Sequence, residues 1–131
     1  MRMIKWPNTQ LPILKLQIEN TQMTLSEQDF RIEADRALER AQRSLLPLAD
    51  AEDFEVELQN GVLQVIFDEP PAKFVVSPNA PVRQIWVSAM SRSYKLSWAP
   101  ETGDFVLVGV SLNALLEQLV QQHLNGTRNN S

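Results

Sequence analysis

The chain has 131 residues, 44% of them hydrophobic and 21% charged, a balance that points to one globular domain of ordinary size. No apolar run approaches the ~20 residues of a membrane-spanning helix. With no cysteine there is no disulfide, no thiol nucleophile and no thiolate-built zinc or iron–sulfur site. The net charge of −4 is unevenly spread: residues 24–60 hold ten acids against four bases, a field that repels nucleic acid and attracts cations or basic proteins.

Residues 1–23 carry three bases, one acid and two prolines. They read as an irregular N-terminal extension, packed on the domain through Trp6, Leu14 and Leu16, and lack the Ser- and Arg-rich character of a transit peptide. The first helix signal is SEQDFRIEADRALERAQRSLLPLA. Ser26 is a candidate N-cap with Asp29 three residues on, an approximate capping box. Phe30, Ala34, Ala37, Leu38, Ala41, Leu45 and Leu48 recur at helical spacing as one apolar stripe, and Pro47 marks the expected end.

Beyond Pro47 the period changes from 3.6 to 2. In DFEVELQNG, Phe54, Val56 and Leu58 alternate with Asp53, Glu55 and Glu57, and Asn60-Gly61 is a tight turn into VLQVIFD. Pro70-Pro71 breaks that strand, and Pro78 is expected to stop the next, KFVVS. PVRQIWVS, YKLSW and DFVLVGV complete a set of six strands. In PVRQIWVS, Arg83, Ile85 and Val87 are expected on one face and Gln84, Trp86 and Ser88 on the other. A second helix, SLNALLEQLVQQHL, is capped by Ser111, carries Leu112, Leu115, Leu116 and Leu119 on one stripe, and is expected to end at Gly126, with 126–131 a disordered tail.

The order α, six strands, α implies an α+β fold, a two-layer α-β sandwich over residues 24–125. Two helices pack on one face of an antiparallel sheet of about six strands. The other sheet face is then at least partly wet, and Trp86 belongs to it.

GVLQVIF (61–67), FVVSPNAPVRQIWVS (74–88), YKLSW (94–98) and SLNALLEQL (111–119), in that order, resemble the frataxin family. The resemblance covers roughly residues 24–125, and Pro81-x-x-Gln84-Ile85-Trp86 is its most specific element. It implies the sandwich just described, and weak iron binding (Fe²⁺ or Fe³⁺) by carboxylates of the first helix and strand. It also implies docking of the open sheet face on the cysteine desulfurase–scaffold complex that builds iron–sulfur clusters. The resemblance further implies a monomer, with iron-induced oligomers as the alternative, in a bacterial cytoplasm or a mitochondrial matrix. Ferroxidase activity at the acidic ridge, or a binding module without an iron role, are the rival readings. The chain departs from the family pattern at Gln42–Pro47, where acids are usual, and at Ser77, Pro78 and Asn79, which replace a more polar stretch.

Asp50, Glu52, Asp53, Glu55 and Glu57 lie within eight residues, with Asp29 and Glu33 expected beside them. Iron accepts hard oxygen ligands, and Glu55 and Glu57 share one strand face ~7 Å apart. The competing reading is a solvated acidic face. His123, the only histidine, makes neither a facial triad nor a zinc site and reads as a charge at a helix C-terminus. Asn79, Pro81, Gln84, Trp86 and Lys95 are the candidate partner contacts, against the alternative that Trp86 only fills a cross-strand pair.

Overall fold

The computed structural model describes residues 25–129, so the expectations for residues 1–23 fall outside it. The first helix, α1 (Glu27–Glu52), begins as its sequence dictates: the Ser26 hydroxyl accepts from the Asp29 N–H at 3.1 Å. It does not end at Pro47. The helix runs through the proline to an Asp53 cap in the left-handed region (φ 63°, ψ 54°), whose N–H donates to the Ala49 carbonyl at 2.9 Å. An interior proline costs an isolated helix ~3 kcal/mol. Here Leu45 and Ala49, one turn apart on either side of it, are buried, and Leu48 packs partly buried against the core. Tertiary burial therefore overrides the local breaker.

Among the described residues, seven strands follow in sequential order: β1 (Glu55–Gln59), β2 (Val62–Asp68), β3 (Pro71–Asn79), β4 (Gln84–Ala89), β5 (Arg92–Ala99), β6 (Asp104–Leu107) and β7 (Val110–Ser111). Every neighbouring pair is antiparallel. Three two-residue turns have positive φ at both positions: Asn60-Gly61 (54°, 75°), Met90-Ser91 (52°, 65°) and Val108-Gly109 (50°, 77°). That is the backbone of a type I′ hairpin, whose twist matches that of the strands. The third turn splits DFVLVGV into β6 and β7 and makes seven strands of the expected six. Valine is a poor residue for a positive φ and hides the turn, although Gly109 beside it is a residue that such turns favour.

Two further boundaries differ from expectation. Pro78 does not stop β3, which continues to Asn79. The pairing of β3 with β2 ends at Leu63↔Val76, so Pro78 has only β4 as a neighbour, and a strand tolerates a residue without an N–H where one side is open. Residues 81–83 are not strand: Ala80–Val82 form a 3₁₀ turn, and Arg83 follows with φ 54°. The Arg83 guanidinium donates to the carbonyls of Leu25 (3.0 Å), Ala80 (2.9 Å) and Pro81 (3.1 Å). The residue expected to face the core instead ties the start of α1 to the turn that launches β4.

The final helix, α2 (Leu112–Asn129), is capped by the Ser111 hydroxyl, which accepts from the Ala114 N–H at 3.2 Å. Gly126 lies inside it, and the expected disordered tail is helical as far as Asn129. A glycine costs ~1 kcal/mol relative to alanine in a helix interior, too little to end a helix already nucleated upstream. Both helices cover one sheet face. Phe30, Leu38 and Leu45 of α1 and Leu112 and Leu116 of α2 pack with Leu63, Val76, Ile85, Leu96 and Phe105 of the sheet in one core. Phe30 meets Phe105 edge-on at 5.6 Å, and Trp98 meets the same ring in a second edge-type contact at 5.2 Å, so Trp98 is part of the packing.

Candidate functional site

On β4, Ile85, Val87 and Ala89 are buried while Trp86 and Ser88 are exposed. Alternation thus puts Trp86, 36% exposed, on the face that carries no helix among the described residues. The register sets its neighbours: Ser77 of β3 on one side and Lys95 of β5 on the other. Lys95 Nζ lies 4.8 Å from the centre of the indole ring, and the indole N–H donates to Gln84 Oε1 at 2.9 Å. The ring is held by a cation on its face and an amide at its edge, so its orientation is set before anything binds. Val75, Ser77, Ser88, Ser93 and Lys95 surround it in a shallow depression of about 380 Å³.

The candidate partner residues come together here with one exception. Asn79 pairs with Gln84 and Trp86 with Lys95 in adjacent rows of the same face. Pro81 stands apart in the exposed 3₁₀ turn above them.

The acids divide differently. Asp50 and Glu52 lie in the last turn of α1, Asp53 is its cap, and Glu55 and Glu57 project from exposed positions on the edge strand β1. Asp29 and Glu33 do not lie beside Asp50, Glu52 and Asp53: they sit at the other end of α1, roughly 25–35 Å from these three at 1.5 Å per residue, and Glu33 pairs with Arg36 at 3.4 Å. What joins Glu52 and Asp53 is a cleft of about 250 Å³ lined also by Phe67, Asp68, Glu69, His123 and Leu124. Among the described residues no three His, Cys, Asp or Glu side chains are grouped closely enough to enclose a metal ion. The acidic end of the molecule is a charged surface, able to meet a hard cation with one or two carboxylates at a time. His123 is not a helix-terminal charge, because α2 continues past it. Its ring packs 4.2 Å from Phe67 and 6.2 Å from Phe74.

Residues 23–126 match the model of the frataxin-like domain. This chain belongs to the frataxin-like family. Among curated relatives, the iron–sulfur cluster assembly protein CyaY of a Janthinobacterium species is 28% identical over 100 residues, which span 75% of this chain and 89% of that protein. CyaY of Pseudomonas entomophila is 30% identical over 102 residues, 75% of this chain and 88% of the relative. The solved frataxin of Psychromonas ingrahamii superposes with a TM-score of 0.63 at 16% identity, covering 76% of this chain and 91% of that one, a likeness of fold alone.

The frataxin-like sandwich also explains what residue-by-residue reading missed. Ser77 and Ser93 flank Trp86 together with Ser88, and only the strand register brings these two to it. Asp68 and Glu69 join the cleft because β1 and β2 pair about Asn60-Gly61, with Glu55 opposite Ile66. Counting outward from that turn brings Asp53 level with Asp68, a signal the sequence did contain.

Proposed function

We propose that this frataxin-like chain is a non-enzymatic regulator of iron–sulfur cluster assembly that docks on a cysteine desulfurase–scaffold complex through its uncovered sheet face. The observation that carries the reading is Trp86, displayed on that face and held by Lys95 and Gln84. A large aromatic with a polar rim, oriented in advance, is the kind of residue that dominates binding energy at interfaces. The relatives bearing the name iron–sulfur cluster assembly protein support the process, and their bacterial origin fits a cytoplasmic protein. Asn79, Gln84 and Lys95 would form the rim, with Pro81 at its upper end.

Iron is cargo in this reading, held weakly by Asp50, Glu52, Asp53, Glu55 and Glu57 at the surface. Exposed carboxylates without an enclosing cage bind a hard cation with little selectivity and release it readily. Asp29 and Glu33 would form at most a separate contact, since α1 holds them far from Asp50, Glu52 and Asp53. The test is capture of a cysteine desulfurase–scaffold complex by the parent chain and by Trp86→Ala, with Fe²⁺ titrated separately into labelled protein. Loss of capture on Trp86→Ala supports the docking face, and retention refutes it. Iron-induced broadening confined to residues 50–57 supports the cargo site, and broadening elsewhere or nowhere refutes that part.

A further inference from the structure

Among the described residues β1 pairs only with β2, so no strand meets its outer side anywhere from Glu55 to Gln59. The two-residue turn at Asn60-Gly61 makes Gln59 and Val62 a mutually hydrogen-bonded pair, and antiparallel pairing then alternates. The backbone groups of Gln59, Glu57 and Glu55 therefore face β2, while those of Leu58 and Val56 face outward.

The side chains of β1 divide by the same count. Glu55 and Glu57 lie opposite Ile66 and Gln64, which alternate with the buried Val65 and Phe67, so both acids project from the uncovered face. Both are exposed, and among the described residues neither is ion-paired. Val56 and Leu58 point to the helix-covered side, where they pack half-buried against the core. A strand that fits this edge must alternate as well, apolar on the helix side and basic or neutral beside the acids. A second copy of β1 would set like charges side by side, which is unfavourable.

The chain itself carries a matching segment. Leu14-Lys15-Leu16-Gln17-Ile18 alternates three apolar residues with a base and an amide. It lies outside the described residues, which begin at Leu25, and Arg83 ties the Leu25 carbonyl to the turn between β3 and β4. That turn and the Asn60-Gly61 turn are at the same end of the sheet, since Leu63 pairs with Val76 and Asn79 with Gln84. From there to the outer side of β1 is ~15–20 Å at ~4.8 Å per strand. The stretch from Leu25 back to Ile18 reaches ~24 Å when extended. A segment entering from that end runs parallel to β1, with Lys15 toward Glu55 and Glu57 and Glu19 beyond them.

We propose that residues 14–18 add to the outer side of β1 as a parallel strand. The main chains of Val56 and Leu58 supply the pairing. Leu14, Leu16 and Ile18 extend the apolar side of the edge, and Lys15 meets Glu55 and Glu57. The N-terminal extension is then a built-in cover that keeps the acidic edge from recruiting another chain. This inference does not depend on what docks at Trp86.

The test uses the full chain, isotope-labelled, with hydrogen exchange read at Val56 and Leu58. Their amides are expected to be protected in the parent and to exchange about tenfold faster in Leu16→Glu, with the core amides unchanged. The natural chain has no cysteine, so Gln17→Cys carries a single nitroxide, expected to broaden Glu55–Gln59 most strongly. Val56 and Leu58 amides that exchange as an open edge does, or that ignore Leu16→Glu, would overturn the proposal. Strongest broadening in the groove between Pro47 and Gln121, or nowhere, would overturn it too. A mixture of nitroxide-bearing unlabelled chain with labelled parent should show no broadening, and broadening there would mean that a second copy occupies the edge instead.

Discussion

Lys95 sits over the ring of Trp86, its Nζ 4.8 Å from the indole centre, because the two are directly opposed on β5 and β4. Both are exposed side chains on a face that no helix covers among the described residues, so the pair adds little to folding. An exposed cation–π contact contributes ~0.5–1 kcal/mol. Lys95→Ala is expected to lower unfolding free energy by no more than about 1 kcal/mol in urea titration. A loss of several kcal/mol would mean that the pair serves the fold rather than recognition.

Val108 provides a test of strain. Its positive φ in a two-residue turn costs ~1–2 kcal/mol for a side chain of this kind. Val108→Asn should therefore stabilise the protein by ~1 kcal/mol, raising Tm by ~5 °C for a domain of this size. An unchanged or lower Tm would show that the turn is relaxed as it stands.

Pro47 makes the opposite kind of exception, a breaker inside a helix that continues. It is exposed at the surface of α1, so Pro47→Ala restores a backbone donor without disturbing the core. A gain of ~1–2 kcal/mol is expected, smaller than the full proline penalty because the unfolded chain also regains freedom. Destabilisation in urea titration would show instead that the helix is shaped around the proline.

Arg83 joins two distant parts of the chain, since its guanidinium holds the Leu25 carbonyl together with those of Ala80 and Pro81. Arg83→Leu should cost ~2 kcal/mol, the usual penalty for part-buried acceptors left without donors. Hydrogen exchange should accelerate most at the first turn of α1. A uniform change across the domain would contradict a local clamp.

These cases also mark how far the sequence was legible. The two helices, their serine caps, the Asn60-Gly61 turn and the exposure of Trp86 all follow from local chemistry or from periods of 3.6 and 2. Local signals misled wherever tertiary contacts overrode them. Pro47 and Pro78 are classed as breakers by type, yet burial on one side and an open strand edge on the other make both tolerable. The turn at Val108 was hidden by its own residue type, and Arg83 passed for a strand residue because the carbonyl that ties it to the start of α1, that of Leu25, lies far away in the sequence. The acids at 50–57 were correctly seen as neighbours in sequence. That Asp29 and Glu33 lie a helix length from Asp50, Glu52 and Asp53, and that Asp68 and Glu69 lie close to Glu52 and Asp53, depends on the unbroken length of α1 and on the β1–β2 register.

The central claim is that Trp86 is displayed for a partner, and the measurement closest to it is binding of the full chain to a cysteine desulfurase–scaffold complex by calorimetry, parent against Trp86→Ala. The account predicts a loss of at least ~2 kcal/mol, roughly thirtyfold in Kd, with the variant's urea midpoint nearly unchanged. Equal affinity for parent and variant would contradict it.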